Sequence, residues 1–184
     1  MKNKIMYLYE SDGLIDDTNR EIIAFGIGRL IDSVMSWLFA IICAWLMGDF
    51  LVGIIFEACY MILRRYAGGY HTRSKGSCLI LTYLSTFICL CVVFTVPSNS
   101  ILTVVIALLS DVVIIRYAPI QSDNKPLNAM ERKVYRKKTI CITFSLTVLI
   151  CIMLLLNQII YAETVVVSML LVMVGMVASL PERI

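Results

Sequence analysis

Residues 140–160 read Ile140-Cys141-Ile142-Thr143-Phe144-Ser145-Leu146-Thr147-Val148-Leu149-Ile150-Cys151-Ile152-Met153-Leu154-Leu155-Leu156-Asn157-Gln158-Ile159-Ile160, without one charge. A hydrocarbon core about 30 Å thick is crossed by roughly 20 helical residues, so this stretch predicts a transmembrane helix. Five more apolar runs lie around it, at 31–47, 51–63, 78–96, 101–115 and 165–180. The run 78–96 spans as easily. Runs 31–47, 101–115 and 165–180 span with some help from their flanks. Run 51–63 is short, so it tilts, thins the bilayer or is partly re-entrant, with Gly48-Asp49 turning the chain into it. Only three charged residues fall within the runs: Asp32, Glu57 and Asp111.

The composition agrees. The chain has 184 residues, 60% of them hydrophobic and 16% charged, against about 45–50% and about 25% in an average soluble domain. Mean hydropathy is +0.87. Such a chain is neither a water-soluble globule nor disordered. A net charge of +3, with the basic residues tied to membrane borders, argues against nucleic-acid binding. The expected fold class is all-α: one polytopic membrane domain over 1–184, with about six transmembrane helices.

The basic residues orient it. Four Lys/Arg fall in 1–30, four in 64–77, seven in 116–139 and one in 181–184, with none in the intervening connections 48–50, 97–100 and 161–164. By the positive-inside rule, the side holding all 16 is cytoplasmic. Both termini are then expected on the cytoplasmic side, with very short outer connections. The first 29 residues carry nine charges and no uninterrupted apolar h-region, so no cleavable signal peptide is expected. Asp16-Asp17, Glu21 and the apolar residues beyond read either as a capped amphipathic helix on the cytoplasmic surface or as a plain lead-in to the first span.

Seven cysteines could suggest a disulfide framework, but the chain is too long and apolar for a stapled scaffold and repeats no zinc spacing. Six of them (Cys43, Cys59, Cys89, Cys91, Cys141, Cys151) sit inside apolar runs, where a thiol is most often an inert small hydrophobe. No metal or cofactor is expected.

Two basic segments are long enough for chemistry. The first, 64–78, runs Arg64-Arg65-Tyr66-Ala67-Gly68-Gly69-Tyr70-His71-Thr72-Arg73-Ser74-Lys75-Gly76-Ser77-Cys78 and holds the only histidine. Its glycines permit tight turning or close approach. Ser77 is a good N-cap, which would place Cys78 at the start of a helix. The helix dipole, with Arg73 and Lys75 nearby, favours a thiolate there. His71 can fold back to it, and a thiolate beside an imidazole is the minimum equipment for acyl transfer. The bland alternatives are a palmitoylated or idle juxtamembrane cysteine and a solvated histidine. Glu57 and Asp111 are intramembrane carboxylates, either functional or paired with an Arg or hydroxyl inside the bundle. They motivate the alternative reading, a small peptide or ion transporter. The second segment, 116–139, broken by Pro119 and Pro126, is most simply an anionic-lipid anchor and topology determinant that could also attract an acidic peptide.

Arg64-Arg65, Gly69, His71 and Cys78 together resemble the accessory gene regulator B family of membrane cysteine endopeptidases. Tyr117-Ala118-Pro119, Lys125-Pro126 and Arg136-Lys137-Lys138 before a long span are similar to the family's second cytoplasmic loop. The resemblance implies a catalytic dyad of His71 and Cys78, supported by Arg64 and Gly69, with Arg65 and Gly68 close enough to blur that assignment. It implies a partner, a small AgrD-like propeptide with an amphipathic leader and an acidic tail. The tail is removed, and the remainder is closed into a thiolactone or lactone used in quorum sensing. It also makes a homodimer plausible.

Overall fold

The computed structural model describes residues 20–70, 75–121 and 128–180. Among these there are six α-helices and no strand: α1 Arg20–Met47, α2 Phe50–Ala67, α3 Lys75–Thr95, α4 Ser100–Tyr117, α5 Ala129–Leu155 and α6 Ile159–Ala178. Five are long and apolar enough to cross a membrane: Ile22–Met47 within α1, Gly76–Thr95 within α3, and α4, α5 and α6. The chain is a polytopic helical membrane protein. Large apolar side chains cover much of its outer surface: Trp45, Leu46, Ile101 and Leu155 are each at least 66% exposed. Water would penalise such a surface, and lipid does not.

The short run 51–63 becomes α2, 18 residues long and the most enclosed of the N-terminal helices. It packs on α1, α5 and α6, while α6 also touches α3 and α4. The core lies mainly between α2 and α6, where Val52, Phe56 and Leu63 join Val165, Met169, Val172 and Met176. Lipid tails are as apolar as leucine, so close packing rather than apolarity drives this association. The α1–α2 hairpin shows how. Gly53 lies directly against the Ala40 carbonyl and the Ala44 methyl, with no room for a Cβ. Gly48, at φ +121°, makes the turn, and Asp49 caps α2 by accepting from the Leu51 N–H at 2.9 Å.

Several buried hydroxyls are satisfied within their own helices, whereas those of Thr86, Ser110 and Thr143 have no hydrogen-bond partner among the described residues. Thr164 donates to the Ile160 carbonyl and Ser168 to that of Val165, each at 2.7 Å. In hydrocarbon, where water offers no alternative, this is the economical solution.

Two boundaries differ from the sequence expectation. The run 140–160 is not one span, because α5 ends at Leu155 and α6 begins at Ile159. Asn157, at φ 57°, turns the chain, and the Gln158 N–H bonds the Met153 carbonyl at 2.8 Å. The expected connection 161–164 is therefore helical. Its polar residues serve neighbouring loops instead: the Tyr161 hydroxyl donates to Asp49, and Glu163 accepts from the Ser98 hydroxyl and the Asn99 N–H. Ser77, read as an N-cap, lies inside α3, which includes Lys75. At the N-terminal end, α1 is a single helix, so residues 20–30 are its first turns. The remainder of the expected interfacial segment lies outside the described residues, as do residues 181–184.

Candidate active site

The site is built where α2 runs out. Arg64 and Arg65 occupy its last turn, and Gly68 caps it at φ +81°, its N–H bonding the Arg64 carbonyl at 3.0 Å. That conformation strains any residue with a side chain. A Cβ on Gly68 would also strike the Ile120 carbonyl oxygen. Ile120 approaches this closely because its N–H bonds the Ala67 carbonyl at 2.9 Å, tying the segment after α4 to the end of α2.

Gly69 and Tyr70 then dock on α6. The Tyr70 N–H bonds the Gly175 carbonyl at 2.9 Å. Its own carbonyl accepts from Arg64 Nη2 at 2.7 Å. The guanidinium lies 5.7 Å from the Tyr60 ring centroid, a cation–π contact. Arg64 Nη1 fills the space that a side chain on Gly69 or Gly175 would need, 2.8 and 3.2 Å from the ideal Cβ positions. Arg64 is thus gripped by a carbonyl, a ring and two glycines. The backbone is held on both faces at Tyr70, the residue directly before His71.

His71 itself, with Thr72, Arg73 and Ser74, lies outside the described residues. Cys78 is half-buried and is the fourth residue of α3, in its first turn. Its carbonyl accepts from the Thr82 hydroxyl at 2.9 Å. Its thiol is free, as are the other six.

The family model for accessory gene regulator B matches residues 1–176 of the chain. The chain belongs to the accessory gene regulator B family. An AgrB-like protein of Clostridium perfringens strain SM101 is 29% identical over 133 residues, covering 67% of this chain and 61% of that protein. AgrB-like protein 2 of Clostridium perfringens strain 13 is 28% identical over the same shares. Accessory gene regulator protein B of Staphylococcus aureus strain MRSA252 is 32% identical over 138 residues, covering 75% of this chain and 68% of that protein. The match thus spans about 61% of the length of the Clostridium relatives. No solved structure matches the chain.

For this AgrB-family chain, the paired candidates separate by geometry. Arg64 and Gly69 touch each other. Arg65 is exposed, and Gly68 meets Ile120 instead. Tyr66 faces the basic start of α5, 5.6 Å from the Tyr135 ring and 5.0 Å from Lys138 Nζ. Beside it Gln121, Ala129, Arg132, Lys133 and Arg136 line an open groove of about 530 Å³. The basic start of α5 and the last turn of α2 therefore share one end of the bundle.

The two carboxylates singled out within the apolar runs are each tied to a hydroxyl. Glu57, fully buried, accepts from Ser36 at 2.7 Å, and Asp111 accepts from Thr147 at 2.8 Å. The second oxygen of each has no hydrogen-bond partner among the described residues. No group of three metal-ligating side chains occurs among those residues.

Three contributors escaped the sequence reading: Gly175, Ile120 and Tyr60. Gly175 looks like any glycine in a transmembrane helix, and Ile120 acts through its backbone. Tyr60 is buried, and its ring meets the Arg64 guanidinium. No local pattern distinguishes it from a core aromatic.

Proposed function

We propose that this chain is a membrane cysteine endopeptidase of peptide quorum sensing. In this reading it removes the C-terminal tail of a small AgrD-like propeptide on the cytoplasmic side of the cell membrane. The observation that carries the reading is the docking of Tyr70 by Arg64 and Gly175, which anchors the chain immediately before His71, with Cys78 in the first turn of the next helix. Family membership supports it.

The chemistry follows from those groups. The Cys78 thiolate attacks the scissile carbonyl, and first-turn N–H groups of α3 stabilise the oxyanion. The C–N bond breaks as His71 protonates the departing amine. The peptide remains as a thioester on Cys78. A thiol within the peptide then displaces Cys78, exchanging one thioester for another, so ring closure consumes no ATP. With a hydroxyl nucleophile the product is a lactone. A site at the bilayer border disfavours competing hydrolysis. A leader lying in the same interface raises the effective concentration of the propeptide, and the groove lined by Arg132, Lys133 and Arg136 suits an acidic tail.

Co-expression with a candidate propeptide and mass spectrometry of the product tests the reading. Cys78→Ala and His71→Ala should each lower tail release by at least about 1,000-fold, while the protein still inserts. Normal processing by Cys78→Ala would sink the proposal.

A further inference from the structure

Gly175 lies in the last turns of α6, more than 90 residues after Cys78 in sequence, and belongs to none of the motif positions. Its carbonyl nevertheless receives the Tyr70 N–H at 2.9 Å. Its missing side chain makes room for Arg64, whose Nη1 would lie 3.2 Å from a Cβ there. Arg64 Nη2 in turn holds the Tyr70 carbonyl at 2.7 Å. Gly69, which is buried, lies against the same Nη1, 2.8 Å from its ideal Cβ position. The four residues form one interlocked unit, because moving any of them loosens the grip on Tyr70.

We propose that Gly175 is a positioning residue: it admits the Arg64 guanidinium and fixes the backbone of Tyr70, the residue that precedes His71 in sequence. This rests on the endopeptidase reading for its catalytic consequence, but the lock itself can be tested without any substrate. A Cβ 3.2 Å from Arg64 Nη1 is tolerated if the guanidinium yields slightly. The larger Gly175→Leu side chain cannot be accommodated with Arg64 in place.

The experiment uses the full chain purified in detergent. Hydrogen–deuterium exchange should find the Tyr70 amide protected in the wild type and released in Gly175→Leu, with the protein still monodisperse and α4 unaffected. Gly26→Ala, at a helix position with nothing within 4 Å of the added methyl, controls for substitution as such. With a Cys-containing propeptide that the wild type processes, Gly175→Leu should lower kcat about 100-fold with KM little changed, since displacement of a catalytic group by about 1 Å costs that much. Gly175→Ala should lose less. Adding Arg64→Ala to Gly175→Leu should cost little more than either alone, because both break one lock. Unchanged Tyr70 exchange in Gly175→Leu, or fully additive losses in the double variant, overturns the proposal. If no propeptide is processed while the exchange results hold, the endopeptidase reading falls and the lock stands.

Discussion

Arg64 and Arg65 are chemically identical neighbours, yet one residue of helix rotates them by about 100° and gives them different work. Arg64 points into the contact between Gly69, Tyr70 and Gly175, and Arg65 is exposed. Arg64→Lys keeps the charge but loses the planar fork that reaches the Tyr70 carbonyl. It should therefore depress tail cleavage about tenfold or more, whereas Arg65→Lys should leave it within about twofold. Gly68→Ala should be worse than its size suggests, because the methyl meets the Ile120 carbonyl at a positive φ. The expected loss of about 1–3 kcal/mol should appear as a lower thermal unfolding midpoint. Glu57 invites a different test. Its bond to Ser36 survives in Glu57→Gln, and no ionised partner is lost among the described residues. That variant should insert and process propeptide normally, measured by mass spectrometry. If neutralising Glu57 instead stopped transport with processing unaffected, the exporter reading would gain.

The helices differ in what their sequences reveal. α3 through α6 are legible because spanning requires length and apolarity, both readable along one dimension. α2 is less so, since Glu57 and its terminal arginines interrupt the pattern. It forms because α1, α5 and α6 enclose it, and Gly53 lets α1 approach backbone to backbone. Gly53→Leu should therefore separate the hairpin and cost about 1–3 kcal/mol, visible as loss of monodisperse protein in detergent. The break between α5 and α6 hides in an apolar run because Asn157 and Gln158 are flanked by leucine and isoleucine. The turn depends on Asn157 in the left-handed region, which asparagine tolerates better than alanine. Asn157→Gly should be neutral and Asn157→Ala destabilising by about 1 kcal/mol, read from the same unfolding midpoints.

Across the whole molecule, the charge asymmetry and the bundle describe the same axis. The connections holding Gly48-Asp49, Ser98-Asn99 and Asn157-Gln158 carry no Lys or Arg, and the opposite connections hold the basic residues, the His71 loop and the start of α5. Reporter fusions should place Ser98 outside the cell and Gln121 inside; the reverse would move the proposed chemistry out of the cytoplasm. The residue types alone determined that this chain crosses a membrane and that its basic residues gather in alternate connections, because burial in hydrocarbon and charge bias act on each segment separately. Only the tertiary structure decided that Arg64 rather than Arg65 grips the loop, that α2 is sheltered at the core, and that Gly175 on the last helix receives Tyr70. Those facts depend on backbone groups and empty spaces meeting across distant segments, and a hole the size of a missing side chain leaves no mark in a sequence until the atom that fills it is found.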